Sequence, residues 1–241
     1  MTAALETIGL SKQFGALRIA NAIDFRLEPG ARHALIGPNG AGKTTFVNLL
    51  SGRLRATAGR ILLAGRDIAR APESTRTRLG LARTFQINNL FPALSVLENV
   101  RLAVAERRGL SAARRALRDE AFAGLDAIGL GADAASVVRE LPYGKQRLVE
   151  LAVALACGPS VLLLDEPAAG IPGGESGVIL DAIERLPADM AVLMIEHDME
   201  LVFRFANRIT VLVQGSILVE GTPEQIAADP DVREVYLGSR A

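Results

Sequence analysis

Three groups of residues in this chain could do chemistry on a phosphate. The first is Gly37-Pro38-Asn39-Gly40-Ala41-Gly42-Lys43-Thr44-Thr45, which spells G-x-x-x-x-G-K-T. Glycines at that spacing let backbone N–H groups turn inward as an anion nest, and a following helix adds the positive end of its dipole. Lys43 then reaches β- and γ-phosphates, and the Thr44 hydroxyl takes one position on Mg2+. The second group is Asp165-Glu166, at the end of the apolar run Val161-Leu162-Leu163-Leu164. A carboxylate at the carboxyl end of a buried parallel strand meets a ligand there. It can hold Mg2+, usually through water, while its neighbour polarises an attacking water. The third is His197, which follows the apolar run Ala191-Val192-Leu193-Met194-Ile195 and Glu196. His33 lies inside a strand pattern and is taken as structural.

These groups need a sheet with helices to position them. Short strand patterns occupy residues 5–10 and 23–27, and Pro29-Gly30 turns the chain into a third at 32–37. A helix-like run, Phe46-Val47-Asn48-Leu49-Leu50, follows the glycine-rich loop, and Ile61-Leu62-Leu63-Ala64 with Gly65-Arg66-Asp67 reads as an edge hairpin. From about 95 to 156 the pattern turns helical. Ser95-Val96-Leu97-Glu98 is a capping box. Leu117, Ala121, Leu125 and Ile128 recur at helical spacing, and Arg114, Arg115, Arg118, Asp119 and Glu120 between them form a solvated face. A third helix is expected after Lys145. The unbroken apolar runs at 161–165 and 191–195 suit strands buried on both faces. Asp198 caps a helix to about 205, Gln214-Gly215 makes a hairpin, and Thr222-Pro223-Glu224-Gln225 and Asp229-Pro230 open two last helices. The expected fold is α/β: a phosphate-loop core at 1–88 and 158–220, a helical subdomain at 89–157 and a helical tail at 221–241.

Bulk properties narrow the function. A chain of 241 residues, 49% apolar, is one large α/β domain or one with an inserted subdomain. Its 27 basic and 27 acidic residues give a formal charge of zero, with no electrostatic footprint for nucleic acid. The single cysteine, Cys157, allows no internal disulfide and suits a reducing compartment. The start Met1-Thr2-Ala3-Ala4-Leu5-Glu6 lacks a basic then apolar signal. The most apolar stretch, 148–164, is interrupted by Glu150, Gly158 and Pro159, so a soluble, cytoplasmic protein is expected.

Gln86 after Ala82-Arg83-Thr84-Phe85, the segment Leu141-Pro142-Tyr143-Gly144-Lys145-Gln146, and the order in which these follow the phosphate loop complete a recognisable set. With Leu162-Leu163-Leu164-Asp165-Glu166-Pro167 and His197, it resembles the ATP-binding subunit of ABC transporters over essentially the whole chain. The resemblance implies a P-loop NTPase core of the ABC ATPase type, with an antiparallel β edge and a helical insert. It implies that Phe14 stacks on adenine and that Gln86 senses the γ-phosphate site and the membrane partner. Leu141, Pro142, Tyr143, Gly144 and Lys145 would close over the other subunit's ATP. Glu166 would be the general base, His197 the switch histidine at the γ-phosphate, and Thr44, Gln86 and Asp165 the surroundings of Mg2+. Ala82-Arg83-Thr84-Phe85-Gln86, Leu90-Phe91-Pro92, Leu97-Glu98-Asn99-Val100, Glu166-Pro167-Ala168-Ala169-Gly170 and Glu220-Gly221-Thr222-Pro223-Glu224 look like the branched-chain amino-acid importer subfamily, as do Asp229-Pro230 and Tyr236-Leu237-Gly238.

The implied partners are a second ATPase subunit, a different chain in importers of this subfamily with a homodimer also compatible, and membrane permeases, with a binding protein indirectly. The implied place is the cytoplasmic face of the inner membrane, as a peripheral protein. Two departures stand out. The family signature has Ser, Gly, Gly and Gln after its Leu, where this chain has Pro142, Tyr143, Gly144 and Lys145, and Pro172 replaces an aspartate that couples the two ATP sites. Proline removes a hydroxyl and an N–H donor from what is offered to the partner's phosphate, and Lys145 adds a charge there. ABC ATPases of DNA repair or translation are the alternative. The insert between Gln86 and Leu141 is too short for a long coiled coil, and only one ATPase domain is present. A GTPase switch lacks its Asn-Lys-x-Asp motif. A decayed, binding-only subunit is opposed by the presence of Lys43, Asp165, Glu166 and His197.

Overall fold

The computed structural model describes residues 2–84, 90–109, 112–171 and 176–237. The chain divides into two units, Met1–Leu81 with Ser160–Glu166 and Ala188–Ala241, and Ala82–Pro159 with Pro167–Pro187.

Two sheets build the first unit. β1 (Leu5–Phe14) pairs antiparallel with β2 (Leu17–Leu27) and with β4 (Ala58–Leu63), and β4 pairs with the short β5 (Arg66–Asp67), giving the order β2-β1-β4-β5. In the second sheet, β3 (Arg32–Ile36) runs parallel to β8 (Ala191–Ile195) and to β9 (Arg208–Val213). Strand β7 (Val161–Asp165) runs parallel to β8, with Asp165 opposite Ile195. Both β7 and β8 bury apolar residues without alternation, as strands covered on both faces must. β10 (Ser216–Gly221) folds back antiparallel on β9, and β6 (Leu81–Arg83) ends the order β10-β9-β3-β8-β7-β6. Helix α1 (Lys43–Ser51) follows β3 and buries Phe46, Val47, Leu49 and Leu50 in a core shared with Leu35, Leu163, Leu193 and Ile195. At about 2 kcal/mol for each such side chain, this packing outweighs the weak helix propensity of a nine-residue segment and fixes the phosphate loop at its start.

One buried cation holds the far end of α1. Arg76, in the short helix α2 (Glu73–Arg78), is 2% exposed. Its Nη1 donates to the carbonyls of Leu49 at 2.7 Å and Leu50 at 2.6 Å, its Nε to Ala71 and its Nη2 to Ala69. The last carbonyls of a helix have no intrahelical donors, so the guanidinium satisfies them and complements the negative end of the dipole. Burial lowers its pKa to about 10, so it stays charged at neutral pH. Helix α2 contains no apolar residue, and hydrophobic periodicity could not have revealed it. The remaining helices of this unit, α7 (Met199–Phe205), α8 (Pro223–Ala228) and α9 (Pro230–Leu237), are capped as expected from sequence. Asp198 accepts from the Glu200 and Leu201 N–H groups, Thr222 and Gln225 form a capping box, and Asp229 accepts from Asp231 and Val232.

The second unit is helical. α3 (Val96–Arg108) opens on the Ser95–Glu98 capping box and packs against α4 (Arg114–Ala127) and α5 (Tyr143–Ala156). Val96, Val100, Val104, Leu117, Ala121, Leu125, Leu148 and Leu151 are buried. The charged face of α4 is solvated, as its sequence indicates: Arg115 sits beside Asp119 at 3.8 Å with both exposed, and Glu120 is shared by Arg107 and Arg108. Helix α5 starts at Tyr143, three residues before the expected start after Lys145. Pro142 takes the N-cap place with φ −54°, and its fixed φ with no N–H to satisfy suits a helix entrance. Tyr143, Gly144 and Lys145 thus form the first turn of a helix and not a preceding turn. Helix α6 (Ser176–Glu184) contacts α5.

Candidate functional site

The first unit brings the phosphate loop, Asp165, Glu166 and His197 to the carboxyl ends of neighbouring parallel strands. Gly42 is the N-cap of α1 with φ 102°, and no side chain caps the helix. A Cβ on Gly42 would lie 2.8 Å from the Ile19 carbonyl oxygen, and one on Gly37 would lie 2.1 Å from that of Leu212. Only glycine fits such approaches at those dihedrals. The loop is braced by backbone bonds from Ala41 N–H to Pro38 and from Gly215 N–H to Ala41. Asn39, Gly40 and Thr44 are exposed, Pro38 and Thr45 half-buried, and Ala41 buried. The first-turn N–H groups of α1 therefore meet the conditions for holding an anion.

Lys43 closes the loop on itself. Its Nζ donates to the carbonyls of Gly37 at 2.5 Å and Pro38 at 3.0 Å. Burial lowers its pKa, and the charge of Glu166 offsets this, which places the ammonium within the electrostatic reach of that carboxylate. Asp165 ends β7, half-buried, and Glu166 follows it, exposed. Glu166 has φ 48°, a left-handed conformation that costs a non-glycine residue roughly 1–3 kcal/mol. Its N–H donates to the Ile195 carbonyl at 2.9 Å, so the end of β8 holds the strained residue.

His197 sits between two carboxylates. Its Nδ1 is 3.7 Å from Glu166 Oε1 and 3.7 Å from Glu196 Oε2. Glu196, 2% exposed, also accepts the backbone N–H of His197 at 3.0 Å. Sequence reasoning passed over Glu196, although an acid directly after five buried apolar residues and directly before a histidine was a usable signal. Phe14 ends β1 next to the hairpin turn and is 49% exposed, with Lys12 Nζ 4.5 Å above its ring centroid. His33 is structural: buried in β3, its Nε2 lies 2.8 Å from Thr210 Oγ1, and burial lowers its pKa to about 4. Gln86 and Pro172 lie outside the described residues.

Leu141, Pro142, Tyr143, Gly144 and Lys145 belong to the second unit. No side chain caps α5, as expected where proline replaces a hydroxyl residue. Leu141 is buried and its carbonyl accepts from Gln146 Nε2 at 2.8 Å. The Tyr143 hydroxyl donates to the Ala169 carbonyl at 3.3 Å, and the Arg147 guanidinium lies 5.4 Å from its ring centroid. Lys145, expected to carry charge toward a phosphate, is paired with both Asp133 oxygens, at 2.8 and 2.9 Å. Asp133 is thus a second residue that sequence reasoning missed, for its partner is twelve positions away on another element.

A nucleotide phosphate fits this first-unit geometry, with an uncapped helix start, inward-turning glycines and a lysine across the loop. A hard divalent cation fits the oxygen donors of Thr44 and Asp165.

The chain is similar to known proteins along nearly its whole length. The ABC transporter family model matches residues 20–169, and that of the branched-chain amino acid ATP-binding cassette transporters matches 216–241. The chain is 40% identical to the high-affinity branched-chain amino acid transport ATP-binding protein LivG of Escherichia coli, over 97% of each. It is 39% identical to the corresponding protein BraF of Pseudomonas aeruginosa, also over 97% of each. Among solved structures, a nucleotide-free ATP-binding cassette from an ABC transporter superimposes with TM-score 0.87 at 27% identity, over 98% of this chain and 100% of that one. The ADP conformation of an ATP-binding cassette matches with TM-score 0.87 at 26% identity, over 99% and 100%. The chain belongs to the ABC transporter family, as an ATP-binding, ATP-hydrolysing subunit of the branched-chain amino-acid transport type.

Proposed function

We propose that this chain energises an importer of branched-chain amino acids or related small solutes. It would work from the cytoplasmic face of the membrane, against permease subunits and opposite a second ATPase chain. The observation that carries the reading is the convergence of an uncapped, glycine-entered helix, Lys43, Asp165, Glu166 and His197 at one edge of a parallel sheet, in a chain whose relatives bear transport names. Those relatives also favour transport over the DNA-repair or translation alternative. Among the described residues no helix is long and apolar enough to cross a membrane, which agrees with a peripheral subunit.

In this reading the phosphate loop and the start of α1 bind the β- and γ-phosphates, and Lys43 exchanges its two carbonyl acceptors for phosphate oxygens. Phe14 stacks on the adenine. Thr44, Asp165 and Gln86 would hold Mg2+, which when bound would supply charge neutralisation on the phosphate oxygens. Glu166 accepts a proton from the water that attacks in line, and Lys43 and His197 stabilise the charge that spreads over the transferred phosphoryl oxygens. Leu141, Pro142, Tyr143, Gly144 and Lys145 close over the ATP held by the partner chain. No nucleic acid takes part.

The test is reconstitution of the chain with its permeases and the second ATPase chain in vesicles. ATP hydrolysis should rise several-fold when a binding protein loaded with a branched-chain amino acid is added. Hydrolysis indifferent to permease and cargo would remove the importer reading.

A further inference from the structure

Phe14 ends β1 with its side chain half exposed, and Leu17, its partner across the hairpin on β2, is more exposed still. Apolar packing alone leaves the direction of such a ring open. A firmer hold comes from Lys12, whose Nζ lies 4.5 Å from the ring centroid, within the range at which an aromatic face attracts an ammonium. That ammonium is itself anchored, for it donates to the Arg55 carbonyl at 2.9 Å. The stretch that follows α1 braces the end of β1 twice more. The Gln13 N–H donates to Thr57 Oγ1 at 3.1 Å, and the Thr57 N–H donates to the Ser11 carbonyl at 2.8 Å. Two residues beyond Leu17 on β2, the Ile19 carbonyl approaches Gly42 too closely for a Cβ, so the hairpin that carries the ring also touches the end of the phosphate loop.

An ammonium on one face leaves the ring a single free face. It also draws the π electrons toward itself, so the free face carries less of the negative charge that makes two stacked rings repel. We propose that Lys12 is a positioning residue for Phe14: anchored to the Arg55 carbonyl, it holds the ring by one face and presents the other as the platform for the nucleotide base. The part played by the base rests on the functional reading above; the hold on the ring does not. The rival role for a lysine beside a nucleotide is direct contact with a phosphate. The two roles differ in what they respond to, because a hold on the ring is felt only by ligands that carry a base.

The chain contains no tryptophan, so Phe14→Trp in the full-length protein supplies a single fluorophore at the stacking position. Lys12→Met keeps an apolar stem and removes the ammonium. In the Phe14→Trp chain without ligand it should lower the fluorescence anisotropy, because the ring loses its hold. In the otherwise wild-type chain, calorimetric titration should show ATP binding about two- to fivefold weaker, the worth of one exposed cation–π contact. The affinity for tripolyphosphate, which has the phosphates and no base, should not change. Lys12→Arg, which keeps a cation and a donor, should restore most of the loss. Phe14→Leu should bind ATP at least about fivefold more weakly, and adding Lys12→Met to it should cost nothing more. An anisotropy indifferent to Lys12→Met would overturn the hold on the ring. ATP affinity unchanged by Lys12→Met, an equal loss for tripolyphosphate, or an equal loss in the Phe14→Leu chain would overturn the action through the ring. Undiminished ATP binding by Phe14→Leu would overturn the platform and the adenine role of Phe14 together.

Discussion

Glu150 gives α5 a pH-dependent stability that can be worked out from its surroundings. The residue is 5% exposed. Its Oε2 accepts from Arg147 Nη1 at 3.0 Å, while Oε1 is buried without a hydrogen-bond partner. Burial raises its pKa from 4.5 to about 7, against the opposing pull of Arg147. The folded chain therefore binds this proton more tightly than the unfolded chain does. Between pH 4.5 and 7 the folded state carries more protons, so stability falls as pH rises. The contribution is complete below the unfolded value and gone above the folded one. At 1.36 kcal/mol per pH unit the loss is about 3 kcal/mol. Glu150→Gln does not titrate and should not lose it. The melting-temperature difference, variant minus wild type, should increase by roughly 6–12 °C between pH 4.5 and 8, followed by far-UV circular dichroism. Taking the difference at each pH cancels every other titrating group and any constant cost to Arg147. A difference independent of pH would show that Oε1 is solvated in solution and refute the argument.

Three further outcomes follow from single contacts. Glu166→Gln should still bind ATP but hydrolyse it at least about a hundredfold more slowly in a single-turnover assay; undiminished turnover removes Glu166 as base. Gly42→Ala places a Cβ 2.8 Å from the Ile19 carbonyl at φ 102°, and should abolish binding of a fluorescent ATP analogue while the chain remains folded by circular dichroism. Arg76→Met leaves the Leu49, Leu50, Ala69 and Ala71 carbonyls without their donor. At about 1–3 kcal/mol for each buried group left unpaired, it should lower the melting temperature by well over 5 °C, whereas Arg78→Met, on the same short helix, should change it little.

What the sequence made legible was local chemistry. The phosphate loop is a spacing, the caps at Ser95, Asp198, Thr222 and Asp229 are side chains reaching two or three residues along, and β7 and β8 are apolar runs. What it concealed was chemistry made by tertiary contact. Arg76 reads as one more surface arginine in a polar stretch, yet it serves carbonyls 26 and 27 positions away. Lys145 reads as a free charge, yet Asp133 holds it. Glu196 reads as a turn residue, and only the packing around the end of β8 shows that its carboxylate is buried beside His197. The early start of α5 has the same origin, since proline in a signature segment reads as a turn until its helical neighbours are seen.

Both lysines that the functional reading assigns to a phosphate are already engaged within the chain, and the engagements differ in strength. Lys43 is held by two neutral carbonyls inside a half-buried loop, which an anionic phosphate displaces readily because it adds a direct attraction between opposite full charges that a carbonyl does not offer. Lys145 is held by a carboxylate, but in an exposed pair, and such pairs are worth about 0–1 kcal/mol. Both exchanges are therefore cheap, and the net gain from each contact is the difference between old and new partners rather than the new bond alone. The loop and the signature therefore exchange partners on binding rather than gaining wholly new ones.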